Sequence, residues 1–329
     1  FVLTGSPDGI GGVSQLWHNN MPITNTPPTA PTGLTLTATT GGALLSWNSA
    51  TDGQTPATGL TYNVRAGSTP GGIDLFAGHV NAANGFRRVP ALGNAMLRHS
   101  LPLTGLTNGQ TVYWSVQAVD TAFAGGPFAS ETNFYSAIVT TTADSGAGSL
   151  RTAVTNVASP KLVTFAPALS GQTIQLTSGY LSLSNTTIID ASPLAAGVAI
   201  NGNALSRIFF VDTNATATLD SLTITNGQTY ISDPIHPGGG GVYSAGGLNL
   251  TRCTLTRNTA AGPGGGLMVV AGNVVLNSCS VISNSGGGNG GGIVSPGGQT
   301  TLNQCTVAGN TSDGSGGGIG FGGNGGTLA

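Results

Sequence analysis

Leu250-Thr251-Arg252-Cys253-Thr254-Leu255, Leu276-Asn277-Ser278-Cys279-Ser280-Val281 and Leu302-Asn303-Gln304-Cys305-Thr306-Val307 align with one another without a gap. Their cysteines keep a spacing of 26 residues, and so do Asn258, Asn284 and Asn310, and Gly266, Gly292 and Gly318. One unit earlier, Leu219-Asp220-Ser221-Leu222-Thr223-Ile224 fits the same frame with Leu222 in place of the cysteine. A period in the range of roughly 20–50 residues marks a solenoid, propeller or array. Within each unit the candidate strands run three to five residues between Gly or Asn turns, with no longer run of helical period. A coiled β-ribbon is what remains.

Such a coil cannot bury its own apolar face, so successive coils must stack and share one long core. Strands on neighbouring coils would lie roughly 4.7–4.9 Å apart. Equivalent Leu, Val and Cys positions then form internal ladders, each buried aliphatic contributing about 1.5–3 kcal/mol. Gly-Gly-Gly runs would let the backbone pass through positive φ. Composition agrees: 55 of 329 residues are Gly and only 6% are charged, with a net charge of −2 and 39% hydrophobic residues. A chain poor in charge yet this apolar suits short strands and tight turns better than disorder.

Upstream, the sequence divides at Pro27-Pro28 and Pro31. Residues 1–27 read as a strand, a Gly-rich turn, a second strand and a polar linker. Residues 28–137 hold alternating runs at Leu34-Thr35-Leu36, Ala43-Leu44-Leu45-Ser46-Trp47, Tyr62-Asn63-Val64 and Val112 to Val119, the pattern of a β-sandwich. Trp47 and Tyr62 are expected in its core rather than as a carbohydrate platform. Leu101-Pro102-Leu103-Thr104-Gly105 mimics a sortase signal, but no apolar span and basic tail follow, so it is read as part of the sandwich. The expected fold class is therefore all-β.

Three resemblances follow from these residues. Gln15-Leu16-Trp17-His18-Asn19-Asn20 resembles the end of an FG-GAP/VCBS-type propeller repeat. Asp8-Gly9 would then be a remnant of a calcium loop, although one Asp cannot supply calcium's six to eight oxygens and a plain turn is favoured. Calcium is possible only in a missing propeller part. The order Pro31, Leu34, Leu45-Ser46-Trp47, Tyr62, Leu106 and Val116 to Asp120 resembles a fibronectin type III domain. Val112 stands where that family's corner tyrosine is usual, with Tyr113 next to it, so the corner is shifted or absent. An insertion around Phe86-Arg87-Arg88-Val89-Pro90 lengthens the module.

Asp144-Ser145-Gly146-Ala147-Gly148-Ser149-Leu150-Arg151-Thr152-Ala153-Val154 resembles the opening motif of right-handed parallel β-helix surface proteins of the polymorphic-outer-membrane or autotransporter-like kind, which share the pectate-lyase-like fold. Ile188-Ile189-Asp190, Ile200-Asn201-Gly202-Asn203 and Leu222 to Gly227 continue it over nearly all of residues 138–329. The resemblance implies a capping coil in which Arg151 is a structural anchor.

Chemistry is sparse. Cysteines one coil apart do not match zinc spacing, and stacked Cβ atoms nearly 5 Å apart exceed the roughly 3.5–4.5 Å of a relaxed disulfide. Cys253, Cys279 and Cys305 are expected to be free, inward thiols. Residues 138–329 contain Asp144, Asp190, Asp212, Asp220, Asp233 and Asp313 and no Glu, with Arg151, Lys161, Arg207, Arg252 and Arg257 as the basic residues. A glycosidase needs two flanking carboxylates. Asp190, Asp212 and Asp220 are expected in separate environments, with Asp190 and Asp220 capping turns. His236, in Asp233-Pro234-Ile235-His236-Pro237, is read as a solvated loop residue. The Gly-rich runs lack the ending of a phosphate loop and the Asp of calcium nonapeptide repeats. No catalytic, cofactor-binding or metal residue is assigned.

A pI near 6.0 without basic clusters argues against nucleic acid, and no apolar run approaches a membrane span. The sequence opens at Phe1 and stops at Gly325-Gly326-Thr327-Leu328-Ala329, where another coil would begin, so it is expected to be cut at both ends, with any signal peptide outside it. The expectation is a bacterial, extracellular, non-enzymatic adhesive or structural surface protein whose partners are glycans, other cell-surface components or copies of itself. The alternative is a polysaccharide-binding or polysaccharide-degrading lyase or glycosidase.

Overall fold

A computed structural model describes residues 2–5, 13–16, 24–39, 42–81, 86–87, 89–158, 160–232, 237–321 and 327–328. The propeller-like Trp17-His18-Asn19-Asn20, the Asp8-Gly9 turn, Arg88, and Asp233 with His236 fall outside them. Val2–Gly5 and Val13–Leu16 pair as two antiparallel strands.

The chain is all-β with almost no helix. From Lys161 onward it winds as a parallel solenoid of about seven turns. Its first sheet runs through Lys161–Phe165, Thr187–Asp190, Thr216–Asp220, Gly247–Thr251, Asn273–Asn277, Gln299–Asn303 and Thr327–Leu328. The second runs from Thr173–Gln175 to Thr306–Ala308, and the third from Leu181–Leu183 to Ile319–Phe321. Short pairs at Thr259–Ala260, Ser285–Gly286 and Thr311–Ser312 lie between the second and third sheets in chain order.

Alternation decides which side chains enter the core. Ile189, Leu219, Leu250 and Leu276 form one inward column, and Ile200, Ile224, Leu255 and Val281 another, all buried in one continuous cluster. The register equals the sequence repeat: Leu250 pairs with Leu276 and Leu276 with Leu302.

Buried carboxamides fix the corner after the second sheet. The Asn258 backbone N–H donates to Asn284 Oδ1 at 3.0 Å, and its Nδ2 donates to Ile224 O at 2.9 Å and to Asn284 Oδ1 at 3.0 Å. Asn284 repeats this toward Leu255 O and Asn310, and Asn310 toward Val281 O. The ladder is closed by the Gly227 amide, which donates to Asn258 Oδ1 at 2.8 Å.

The glycine runs do less turning than expected. Among Gly290, Gly291 and Gly292, only Gly290 needs positive φ (69°). Gly292 is required by close approach, since a Cβ there would sit 2.6 Å from Gly318 O. Elsewhere the left-handed corners are occupied by Arg252, Ser278 and Gln304, and by Arg257 and Ser283, all with φ between 51° and 55°.

Contrary to the helix-free expectation, the opening segment forms one helix, α1 (Leu150–Thr155). Ser149 caps it by accepting the Thr152 N–H, and Leu150, Ala153 and Val154 turn one face into the core.

Residues 24–139 form two antiparallel sheets around a common core. Thr32–Thr39, Gly42–Asn48 and Ser100–Thr104 make one, so the sortase-like stretch is a sheet strand. Thr61–Gly67, Gln110–Val119, Gly125–Phe128 and Thr132–Val139 make the other. Trp47 and Tyr62 are buried in this core, as expected. Val112 is buried beside them, whereas Tyr113 is only half-buried.

The second of these sheets is continuous with the solenoid. Thr132–Val139 pairs antiparallel with Gln110–Val119 on one edge and parallel with Lys161–Phe165 on the other. The junction expected between 137 and 138 lies inside this strand. Leu162 and Ile188, on the outward face of the solenoid's first sheet, pack into the upstream core.

The ladder predicts a large penalty for breaking one rung. Asn284→Ala strands the Asn258 amide and Leu255 O, each unmade buried bond costing about 1–3 kcal/mol. Equilibrium denaturation should show a loss of about 3 kcal/mol or more, and an unchanged midpoint would refute the ladder's role.

Candidate functional site

The expectation that the aspartates scatter is wrong for two of them. Asp190 and Asp220 are register partners at the ends of adjacent strands of the first sheet. Their neighbours Ile189 and Leu219 point inward, so both carboxylates take the outward face, in a column continued by Thr251, Asn277 and Asn303. Asp190 is buried, and its Oδ1 accepts the Ser192 N–H at 2.7 Å, the turn-capping role expected of it. Asp220 accepts the Ser221 hydroxyl at 2.9 Å and pairs with Arg252 at 2.6 Å. Burial pushes the Asp220 carboxyl up, and the Asp190 charge adds to this against the pull of Arg252 and Ser221. Asp212 stands apart, in the turn after Phe209–Val211.

Repetition at 30 residues could have revealed this pair, because Ile189-Asp190-Ala191 matches Leu219-Asp220-Ser221. The 26-residue frame of the later coils hides it.

Several other charges are committed to architecture. Arg151 Nε and Nη2 donate to Asp144 Oδ1 at 3.1 and 2.7 Å, while Nη1 reaches Tyr180 O and Nη2 reaches Gly179 O. It thus ties α1 to the first coils, the anchoring role expected of it. Burial alone would raise the Asp144 carboxyl, but hydrogen bonds from Ser178, Arg151 and Thr177 outweigh it and hold the group at about 2. Lys161 is buried and its Nζ donates to Val154 O and Asn156 O, both at 2.7 Å, at the C-terminal end of α1. Burial lowers its pKa.

Arg207 is also buried, with its guanidinium 5.2 Å from the Tyr243 ring and 5.9 Å from those of Tyr180 and Phe210. Phe210 and Tyr243 stack at 5.1 Å and 2°, so each ring covers one face of the other, and Tyr243 is buried. This cluster cross-links coils rather than offering a platform.

Cys253, Cys279 and Cys305 are free and form one inward column, Cys253 and Cys279 buried and Cys305 half-buried on the last complete coil. The Cys253 N–H approaches Cys279 Sγ at 3.4 Å. A hydrogen bond from Cys253 lowers the Cys279 thiol to about 7, and burial raises Cys253 well above its ordinary value. Among the described residues, no three His, Cys, Asp or Glu side chains gather as a metal site, and no helix is long and apolar enough to cross a membrane.

A polar cleft of about 300 Å³ opens at the corner after the second sheet, lined by Asn201, Asn203, Asn226, Gln228, Arg257 and Thr259.

No protein-family model matches the sequence, and no curated protein matches it. Among solved structures, pectate lyase PelI from Erwinia chrysanthemi in complex with tetragalacturonic acid is 12% identical, covering 92% of this chain and all of its own, with a TM-score of 0.22. Pectate lyase Pel3 from Pectobacterium carotovorum is 11% identical over 82% of this chain and 85% of its own, with a TM-score of 0.20.

Two outcomes follow. Asp144 ionises well below the ordinary 3.8, so its stabilisation is complete above that value and is lost as pH falls through about 2. Asp144→Asn should lower stability at neutral pH and flatten the acid limb of the unfolding curve across that window, whereas an unaltered limb would contradict the assignment. For the cysteines, thiol titration without reductant should count three after denaturation, with Cys305 reacting first in the native protein. A count of one would show a disulfide.

Proposed function

We propose that this chain is a non-catalytic extracellular scaffold of a bacterial surface. On this reading residues 28–137 are a fibronectin type III-like module and residues 138–329 a right-handed β-helix of the polymorphic-outer-membrane or autotransporter-like kind. Residues 1–27 are the end of an FG-GAP/VCBS-like repeat. The assembly would present surfaces to glycans, to other cell-surface components or to copies of itself.

The observation that carries it is the shared strand Thr132–Val139. Two modules joined by a flexible linker reorient freely. Here the connection is a continuous sheet with Leu162 and Ile188 packed across it, so the unit transmits force and holds one geometry. That property serves a stalk better than a catalyst. The charged groups support the same reading, since Arg151, Lys161 and Asp144 are spent on holding the cap.

The paired Asp190 and Asp220 favour a second reading, a polysaccharide-degrading enzyme. They stand side by side on one sheet face, however, whereas glycosidase carboxylates lie on opposite sides of the scissile bond. Asp220 is moreover held in an ion pair with Arg252.

Incubation with a panel of acidic and neutral polysaccharides separates the two. A scaffold should yield no unsaturated products and no new reducing ends while still being retained on glycan-coated or cell surfaces. Turnover that disappears in Asp190→Asn or Asp220→Asn would overturn it.

A further inference from the structure

The polar cleft arises where the repeat is interrupted. In the regular coils one left-handed residue turns the corner after the second sheet: Arg257, then Ser283. Asn226 turns the strand before in the same way with φ of 53°, but two strands before Arg257, after Val198–Asn201, the chain instead detours through Asn203 and Ala204, both left-handed with φ of 53° and 52°. The Ala204 N–H reaches across to Asn226 O at 2.9 Å. An alanine held in that region costs about 1–2 kcal/mol, so a local compensation is required, and the corner hydrogen bonds supply it.

The lining has a definite chemistry. The Asn203 N–H donates to Asn201 Oδ1 at 2.8 Å, which orients that carboxamide and leaves its Nδ2 as a donor. Asn226, Gln228 and Thr259 add further carboxamide and hydroxyl groups. Arg257 is exposed, and among the described residues no carboxylate lines the cleft. Among the described residues Arg257 has no ion pair and no side-chain hydrogen bond, in contrast to Arg65, Arg151 and Arg252, each paired with an acid.

Beside the cleft, the Tyr230 hydroxyl donates to Ala204 O at 2.7 Å while its side chain remains 45% exposed. The ring is thereby pinned at its polar end and left open to solvent. Leu205 and Ile231, exposed on the same two insertions, extend this apolar rim.

We propose that the cleft binds a saccharide unit carrying an anionic substituent, a carboxylate or a sulfate. A guanidinium recognises either group through two parallel hydrogen bonds. Carboxamides, which both donate and accept, suit neighbouring hydroxyls, and an exposed tyrosine ring offers an apolar face with a polar end. The site deepens the scaffold reading by naming what such a surface would hold, and it lies on different residues from the Asp190 and Asp220 pair.

The test is isothermal titration of the intact chain with uronic acid, sulfated and neutral oligosaccharides of matched length. The anionic oligomers should bind at least about tenfold more tightly than the neutral one, with binding weakened by salt, and the two anionic arms identify the substituent. Arg257→Ser places at this corner the residue that Ser283 supplies one coil later, so the fold should persist by circular dichroism. It should cost about tenfold or more in affinity for the anionic oligomers and leave the neutral one unchanged. Gln228→Ala, outside the left-handed corner, should weaken all three. Equal affinity for neutral and anionic oligomers, full binding by folded Arg257→Ser, or no binding by any oligomer would overturn the proposal. Turnover with Arg257-dependent binding intact would instead defeat the scaffold reading and leave the site standing.

Discussion

The inward carboxamides of Asn258, Asn284 and Asn310 set the terms for the solenoid. A parallel coil must turn sharply several times per revolution, and each turn leaves backbone groups that the strands cannot satisfy. Each asparagine supplies its Nδ2 to a carbonyl in the coil before it and its Oδ1 to the preceding asparagine or, at Asn258, to Gly227. A single side chain thus satisfies groups on two levels. Because rungs can meet only in one register, the ladder also forces Leu to stack on Leu and Cys on Cys. The glycine run completes the corner, since Gly266 and Gly292 bring backbones closer than any Cβ allows.

This constraint explains which parts of the fold the sequence disclosed. The gapless repeat of Leu250, Cys253, Leu255 and Asn258 is the ladder itself written along the chain, so its register and inward face could be read directly. The upstream strands were visible through alternation around Trp47, Tyr62 and Val116. The continuity between the two regions was not visible. Thr132–Val139 is not among the alternating runs that the sequence displays, and nothing local distinguishes Leu162 and Ile188 from solenoid core residues. Pairing across a sheet junction is long-range information. The helix Leu150–Thr155 escaped for a different reason: six residues give too little periodicity, although Ser149 is a sound cap.

The site residues followed the same logic. Asp190 and Asp220 belong to coils lengthened by insertions, and a search at 26 residues separates what the sheet brings together. Those insertions also build the polar cleft, because Asn203 and Tyr230 stand in segments the regular coils lack. Regular coils supply rigidity and interrupted coils supply chemistry. The inward thiols belong to the regular part, where Cys253 and Cys279 behave as core volume.

The in-register polar ladder is the central claim, and its carboxamide protons report on it directly. In protein labelled at asparagine, nuclear Overhauser contacts should link the side-chain NH2 of Asn258 to that of Asn284 and Asn284 to Asn310, with hydrogen exchange far slower than that of an exposed carboxamide. Side-chain amides that exchange at the free rate and show no contact across the 26-residue spacing would contradict the account.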